Sequence, residues 1–282
     1  MSPSAVNTEA LDNLGNELKS ANPDPSIVNT PKVTGDWTVA KVLATISTDP
    51  PVEGSSSPVP YFHLLERLKT TKREGWRRFG ILRGESISDH MYRMALISMF
   101  APPSIRSKVD LHKCMKMCLI HDMAESLVGD ITPVDGVAKP EKNRREAATM
   151  DYITKNLLGN VWGGDGKSVA EDILAVWQEY EDSETLESHF VHDIDKLELL
   201  LQMVEYEKRG ERKLDLGEFA YVATRLALDE TKQWAQEVLK EREAYWGSKD
   251  HVHGEKGVDG GITQDLAAAS SDYYEGSGGA NS

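Results

Sequence analysis

The chain has 282 residues, 46 of them acidic against 32 Lys and Arg, for a formal charge of −14. That acidity excludes a general binder of nucleic-acid backbones, which needs a basic face, and no apolar run approaches the roughly 18 residues of a membrane-spanning helix. With 39% hydrophobic residues and only Cys114 and Cys118, one helical step apart, the composition describes a soluble globular protein without a disulfide framework. A reducing, cytoplasmic compartment fits, with the nucleus also open to it.

Residues 1–59 carry three Lys and seven acidic residues and read as a mostly disordered extension. The N-terminus has neither a basic region nor the apolar stretch of a secretory signal, so none is expected. The one ordered exception is Trp37–Ile46, where Trp37, Val42 and Leu43 suit a short helix or strap. Asp49 to Pro58 is a linker by composition. Residues 60–247 read as helix after helix. Phe62, Leu65 and Leu68 recur at helical spacing, and Met91, Met94 and Ala95 follow an N-cap candidate at Ser88. Leu111, Met115, Cys118 and Leu119 lead into His121, and an irregular stretch runs from Gly129 to Pro140. Ala147, Met150, Ile153 and Leu157 mark the next helix, then Ile173, Leu174 and Trp177. Ile194, Leu197, Leu201 and Val204 mark a longer one, and Phe219 to Tyr245 closes the set. Residues 248–282 are poor in apolar side chains and read as a disordered acidic tail rich in Gly and Ser. The expected fold is all-α, a single helical bundle between two tails.

Three segments carry chemistry: Ser88-Asp89-His90 at a helix start, His121-Asp122-Met123-Ala124-Glu125 with Gly129-Asp130, and Asp193 to Glu198 within an apolar-periodic helix. Imidazoles and carboxylates from separate helices are how bundles build metal sites, and this donor set suits a borderline or hard divalent ion. Glu125 follows His121 by one helical turn, on the same face, where it can orient a water or hold a second ion. Single pieces are weak, since His192-Asp193 repeats the dipeptide. A lone His or Asp on a helix is more often a core or solvated residue. The conjunction is stronger. Asp195 sits between Ile194 and Leu197, and a carboxylate buried there needs a partner.

Those segments, Ser88 to Ala95, His121 to Glu125 with Gly129-Asp130, and the Asp195 helix, resemble the HD-domain metal-dependent phosphohydrolases, and among them the 5′-deoxynucleotidases. The similarity spans about residues 60–245. It implies an all-α HD-domain bundle that hydrolyses deoxynucleoside 5′-monophosphates with a divalent cation (Mg²⁺, Mn²⁺, Co²⁺ or Zn²⁺), usually as a homodimer, with no nucleic-acid or membrane partner. By position it implies His90, His121, Asp122 and Asp195 as metal ligands. Glu125 would assist the attacking water or bind a second cation, with Asp122 bridging metal and substrate. Asp130 and the Ile131 carbonyl would line the pocket near that second cation or the sugar. Trp76 resembles the tryptophan that packs on the nucleotide. The bacterial relatives place an Arg just before it, where this chain has Gly75, leaving Arg77, Arg78 or Arg83 to meet the phosphate. Thr132 stands beside Pro133, which replaces a bacterial Thr.

The cations between Arg67 and Arg83, Arg73 among them, read equally as a positive pocket mouth or a solvated helix end. Lys139, Lys142, Arg144 and Arg145 read as an exposed helix start, the two cysteines as core, and Met91, Met94, Met99, Met115, Met117 and Met123 as packing. Two other readings compete: another HD phosphohydrolase, such as a cyclic-nucleotide phosphodiesterase or a triphosphate hydrolase, and a non-catalytic metal or nucleotide sensor. A two-metal phosphodiesterase needs further His ligands, for which His63, His112, His189 and His192 are poor candidates.

Overall fold

The computed structural model describes residues 35–46 and 50–247, so the C-terminal tail expected to be disordered and most of the N-terminal extension lie outside the described residues. In chain order the helices are α1 (Val39–Leu43), α2 (Val59–Thr70), α3 (Glu74–Arg77), α4 (Ile87–Ser98), α5 (Pro103–Arg106), α6 (Leu111–Ile120), α7 (Glu125–Val128), α8 (Lys139–Asp151), α9 (Lys167–Asp182), α10 (Leu186–Arg209) and α11 (Asp229–Trp246). A π-helical turn (Tyr152–Leu157) extends α8, and 3₁₀ segments cover Val161–Gly164 and Gly217–Arg225. Among the described residues there is no strand, only an isolated bridge between Lys72 and Ser86. The architecture is all-α.

Local chemistry sets the helix starts. Ser86, not Ser88, caps α4: its Oγ accepts from the Asp89 amide (3.1 Å) and Asp89 returns a carboxylate oxygen to the Ser86 amide (2.8 Å). That reciprocal pair satisfies two donors at once and outcompetes the later serine. Asp110 caps α6 by accepting from the amides of His112 and Lys113, and Thr185 with Ser188 forms a second reciprocal cap on α10. Helices α4, α6 and α10 pack against one another around Met94, Met117, Ile194 and Leu200, all fully buried. In α2 the buried face is Tyr61, Leu64 and Leu68, while Phe62 is 56% exposed. The apolar phase is therefore shifted from the one expected. Met99 is likewise exposed rather than core.

The segment expected to be a linker is fastened down at residues 50–58. The Gly54 amide donates to the Asn156 carbonyl (2.8 Å), and the Trp162 amide donates to Ser56 (2.8 Å). Trp37 is buried, with Arg144 donating to its carbonyl (2.9 Å) and Arg145 lying over its ring. Arg144 and Arg145 also pair with Glu141.

Two buried carboxylates hold the 3₁₀ segment Gly217–Arg225 against the bundle. Before it, Glu207 accepts from the Leu216 amide (2.7 Å), from Trp246 Nε1 (3.0 Å) and from Arg242 Nε and Nη2 (2.8 Å each). Arg242 also reaches Asp215 (2.7 Å). A Cβ on Gly217 would lie 2.7 Å from the Arg242 guanidinium and 2.9 Å from Asp215 Oδ1, so a side chain there would push this ion pair aside. After it, Asp193 accepts from the amides of Ala227 and Leu228 (2.8 Å each) and from Thr231 Oγ1 (2.6 Å). The second His-Asp dipeptide is thus architectural. Replacing Arg242 by Met leaves two buried carboxylates without their cation, and urea unfolding should register a loss of about 3–5 kcal/mol.

Candidate active site

Helix α6 ends at Ile120, and residues 121–124 turn tightly, the Met123 amide donating to Ile120 (2.8 Å) and the Glu125 amide to Asp122 (3.0 Å). That turn lets His121 and Asp122 face one point although they are adjacent in sequence. His121 Nε2 lies 3.2 Å from Asp122 Oδ2, and the ligand atoms of His90, His121 and Asp122 lie within 4.8 Å of one another. From α10, Asp195 Oδ1 approaches His90 Nε2 to 3.1 Å. The structure brings all four expected ligands together.

The other ring nitrogens fix what these faces offer. His121 Nδ1 donates to the Cys118 carbonyl (3.0 Å), which can only accept, so Nε2 is the ring atom left to face the carboxylates. His90 Nδ1 meets Glu198 Oε2 at 2.5 Å, and Arg93 holds Glu198 through Nε (2.7 Å) while also reaching Glu205 and Gln202. Both Nε2 atoms are buried without an aligned hydrogen bond, as is Glu125 Oε2. Orphaned imidazole nitrogens beside ionised carboxylates fit a divalent cation, and the carboxylate–His90 pairing fixes the ring as metal sites commonly do.

Electrostatics sharpen the picture. Burial alone would raise Asp122, but His121, Arg73 and His90 hold it well below the carboxylate range. Asp195, also opposed by burial, is held low chiefly by His90. Burial and Arg73 push His90 down, yet Glu198 and Asp195 outweigh them and raise it to about 10. Glu125 goes the other way: burial, then Asp122 and Asp130, lift it well above its ordinary value. The cluster is short of positive charge, and its carboxylates split into two held ionised and one poised to carry a proton.

His121, Asp122, Glu125 and Asp195 open onto a cavity of about 840 Å³. Of the cations between Arg67 and Arg83, Arg73 reaches the cluster: its Nη1 lies 3.1 Å from Asp122 Oδ2 and it lines the cavity. Its only sequence signal was a place in a basic run, three positions before Trp76. Trp76, 3% exposed, shows an edge to the cavity. Its Nε1 donates to Glu85 (2.7 Å), and its ring packs on Phe219 (4.7 Å) and Tyr206 (5.4 Å). Gly75 fits against the same Phe219 ring, 3.5 Å from where a Cβ would stand.

Asp130 and Ile131 line the cavity, and Asp130 Oδ2 also accepts from the Glu74 amide (2.6 Å), anchoring the helix that carries Trp76. Arg78 lines the cavity too, whereas Arg77 pairs with Glu74 (3.3 Å) on its own helix and does not. Thr132 reaches the rim, but Asp135 engages its amide and hydroxyl (2.6 Å each). Lys139 and Lys142, expected on an exposed helix start, face the cavity. So do His189 and His192, with their Nε2 atoms on the Ser183 (2.8 Å) and Tyr180 (3.0 Å) carbonyls. Those nitrogens therefore carry protons and are not spare ligands.

Residues 65–235 match the family model described as the HD domain. The chain is 43% identical over 196 residues to "5'-deoxynucleotidase hdd1" of Schizosaccharomyces pombe, covering 69% of this chain and 94% of that protein. It is 37% identical over 154 residues to "5'-deoxynucleotidase HDDC2" of Homo sapiens, covering 55% and 70%. Among solved structures, "HD domain-containing protein YGK1" superposes with a TM-score of 0.52 at 31% identity, over 74% of this chain and 94% of that one. Glu198→Gln should weaken Mn²⁺ binding about 10–100-fold, read by calorimetric titration, with the far-ultraviolet circular dichroism unchanged.

Proposed function

The chain belongs to the HD-domain family, and on that footing we propose that its cavity is the active site of a 5′-deoxynucleotidase. The protein hydrolyses deoxynucleoside 5′-monophosphates to deoxynucleoside and phosphate, the activity that names its relatives. One observation carries the placement: two buried imidazole nitrogens without an aligned hydrogen bond, each beside a carboxylate held ionised, converge from two helices and the turn after α6, with His121, Asp122 and Asp195 lining the cavity.

His90, His121, Asp122 and Asp195 would hold a divalent cation, with Glu125, Asp130 and the Ile131 carbonyl near enough in sequence and placement to serve a second. Such a cation supplies Lewis acidity toward a phosphate oxygen and lowers the pKa of its water. Mg²⁺, Mn²⁺, Co²⁺ and Zn²⁺ all accept this donor set.

The chain's own residues do the rest. Glu125, a carboxylate made more basic by burial and by Asp122, takes the proton of the attacking water. Arg73, paired to Asp122 and facing the cavity, supplies the guanidinium that the bacterial pattern places before the tryptophan. It approaches from three residues upstream of Trp76. A planar fork of donors suits a phosphate dianion. Arg78, on the same wall, adds charge that draws the anion in. Trp76 and Asp130, both on the cavity wall, would border the sugar, and selectivity for deoxyribose would be steric, a 2′-hydroxyl projecting against them.

The proposal includes a homodimer acting in the cytoplasm. Its support is a stripe of exposed apolar side chains, Tyr92, Leu96 and Met99 on α4 followed by Phe100, the last 78% exposed. Contiguous exposed apolar surface of this kind marks an association face. No helix among the described residues is long and apolar enough to cross a membrane.

Phosphate release from a panel of deoxy- and ribonucleoside 5′-monophosphates tests the assignment. Activity should appear on the deoxy series, vanish with chelator and fall to background in Asp122→Ala; undiminished turnover by that variant would remove Asp122 from the mechanism. Arg73→Ala should lower kcat by about 10²–10³-fold, the size expected when a donor to developing charge is removed, with metal affinity retained. Arg73→Lys should recover part of the loss.

A further inference from the structure

Trp76 sits on a helix too short to hold it. Helix α3 has four residues, far below the length at which a helix supports itself, so tertiary partners set the direction of the indole. The ring lies between Tyr206, edge-on at 5.4 Å, and Phe219 at 4.7 Å, which limits its tilt. Its rotation is fixed at Nε1, which donates to Glu85 Oε1 at 2.7 Å. An indole offers one polar donor, so satisfying it selects one setting of the ring, and the ring so set lines the cavity.

Glu85 is engaged at its amide, its carbonyl and its carboxylate. The amide donates to the Tyr206 hydroxyl (2.7 Å), the carbonyl accepts from the Arg73 amide (3.2 Å), and the carboxylate takes the indole. The approach to Tyr206 is close, since a Cβ on the preceding Gly84 would stand 3.1 Å from that hydroxyl. One residue thus ties α10, the backbone of Arg73 and the Trp76 ring together, although neither Glu85 nor Tyr206 lines the cavity. The Glu85 carboxylate also comes within 4.8 Å of ligand atoms of His90 and Glu198. His90 Nδ1, however, is already met by Glu198 at 2.5 Å, and the hydrogen bond of Glu85 goes to the indole.

We propose that Glu85 is a positioning residue for deoxyribose selectivity: by holding the Trp76 indole from behind, it sets the wall that a 2′-hydroxyl would meet. The proposal rests on the 5′-deoxynucleotidase reading and deepens it. Glu85 touches no substrate and acts through Trp76 alone. Its bond to the Arg73 amide is made by the backbone and survives any change of side chain, so substitutions at position 85 isolate the indole contact.

The ratio of kcat/KM for a deoxynucleoside 5′-monophosphate to that for the matching ribonucleotide, measured with added Mn²⁺, tests it. Glu85→Met removes the acceptor at similar length and should lower this ratio about tenfold, the order of one good hydrogen bond lost. Glu85→Gln keeps an oxygen for the indole and should recover most of the ratio. Trp76→Phe should lower it as far as Glu85→Met does, and the double variant should go no further, because the carboxylate works only through the indole. Tyr206→Phe keeps a ring against Trp76 but frees the Glu85 amide; it should move the ratio the same way, and it carries the test if Glu85→Met does not fold. Two readouts stand apart from turnover. In nitrogen–proton correlation spectra the Trp76 indole signal, assigned by its loss in Trp76→Phe, should shift in Glu85→Met and stay near its place in Glu85→Gln. Calorimetric Mn²⁺ affinity of Glu85→Met should match wild type. A ratio that falls in Trp76→Phe but not in Glu85→Met, a double variant worse than either single one, or weakened Mn²⁺ binding in Glu85→Met would overturn the positioning role and leave the deoxynucleotidase reading standing. Wild-type protein that turns over neither series, or both alike, would sink that reading and the proposal with it.

Discussion

Burying ionisable groups is costly unless each charge meets its opposite, and that constraint organises this molecule more than any single helix does. At the cavity floor Asp122 and Asp195 stay ionised because His121, His90 and Arg73 surround them. One layer out, Glu198 is shared between His90 and Arg93, and Arg93 is spread over Glu205 and Gln202. Such a chain of partners fixes the ring of His90 in one orientation, with its Nε2 toward Asp195. Side chains so preorganised would need little rearrangement to receive a cation.

The same rule shapes the side of the cavity that catalysis does not touch. The segment Gly217–Arg225 contributes Phe219, Tyr221, Val222 and Arg225 to the lining, yet as a 3₁₀ stretch it has weak internal hydrogen bonding. What holds it are the buried carboxylates of Glu207 and Asp193, one at each end. Phe219 in turn backs Trp76 and fills the space beside Gly75. The aromatic face of the pocket therefore depends on carboxylates that lie outside it.

Much of this was legible in the sequence. Helical periodicity gave the order of the long elements, and the spaced His, His-Asp and Asp segments drew attention to the four residues that converge. What escaped was whatever depended on distant partners. Arg73 meets Asp122 across 49 positions, and nothing local separates it from the other cations of its run. In α2 two overlapping apolar sets share the same spacing, so the burial of Tyr61 and Leu64 rather than Phe62 and Leu65 was decided by the neighbouring helices. Ser86 and Ser88 are both plausible caps, and only the reciprocal bond with Asp89 chooses between them. The polar stretch at residues 50–58 lacks apolar anchors, but its backbone is held by the widened turn after α8. Lys139 and Lys142 illustrate the converse, since charged side chains at a helix start look solvent-bound until a cavity is found in front of them.

Asp193 also sets where this fold can be cut. Its carboxylate is sealed inside α10, while its donors, the Ala227 and Leu228 amides and the Thr231 hydroxyl, arrive more than thirty positions later. A fragment that ends before Ala227 keeps His90, His121, Asp122 and Asp195 yet strands that anion in its interior, and one that ends before Arg242 strands Glu207 and Asp215 as well. The shortest self-sufficient piece is therefore dictated by residues outside the candidate metal cluster.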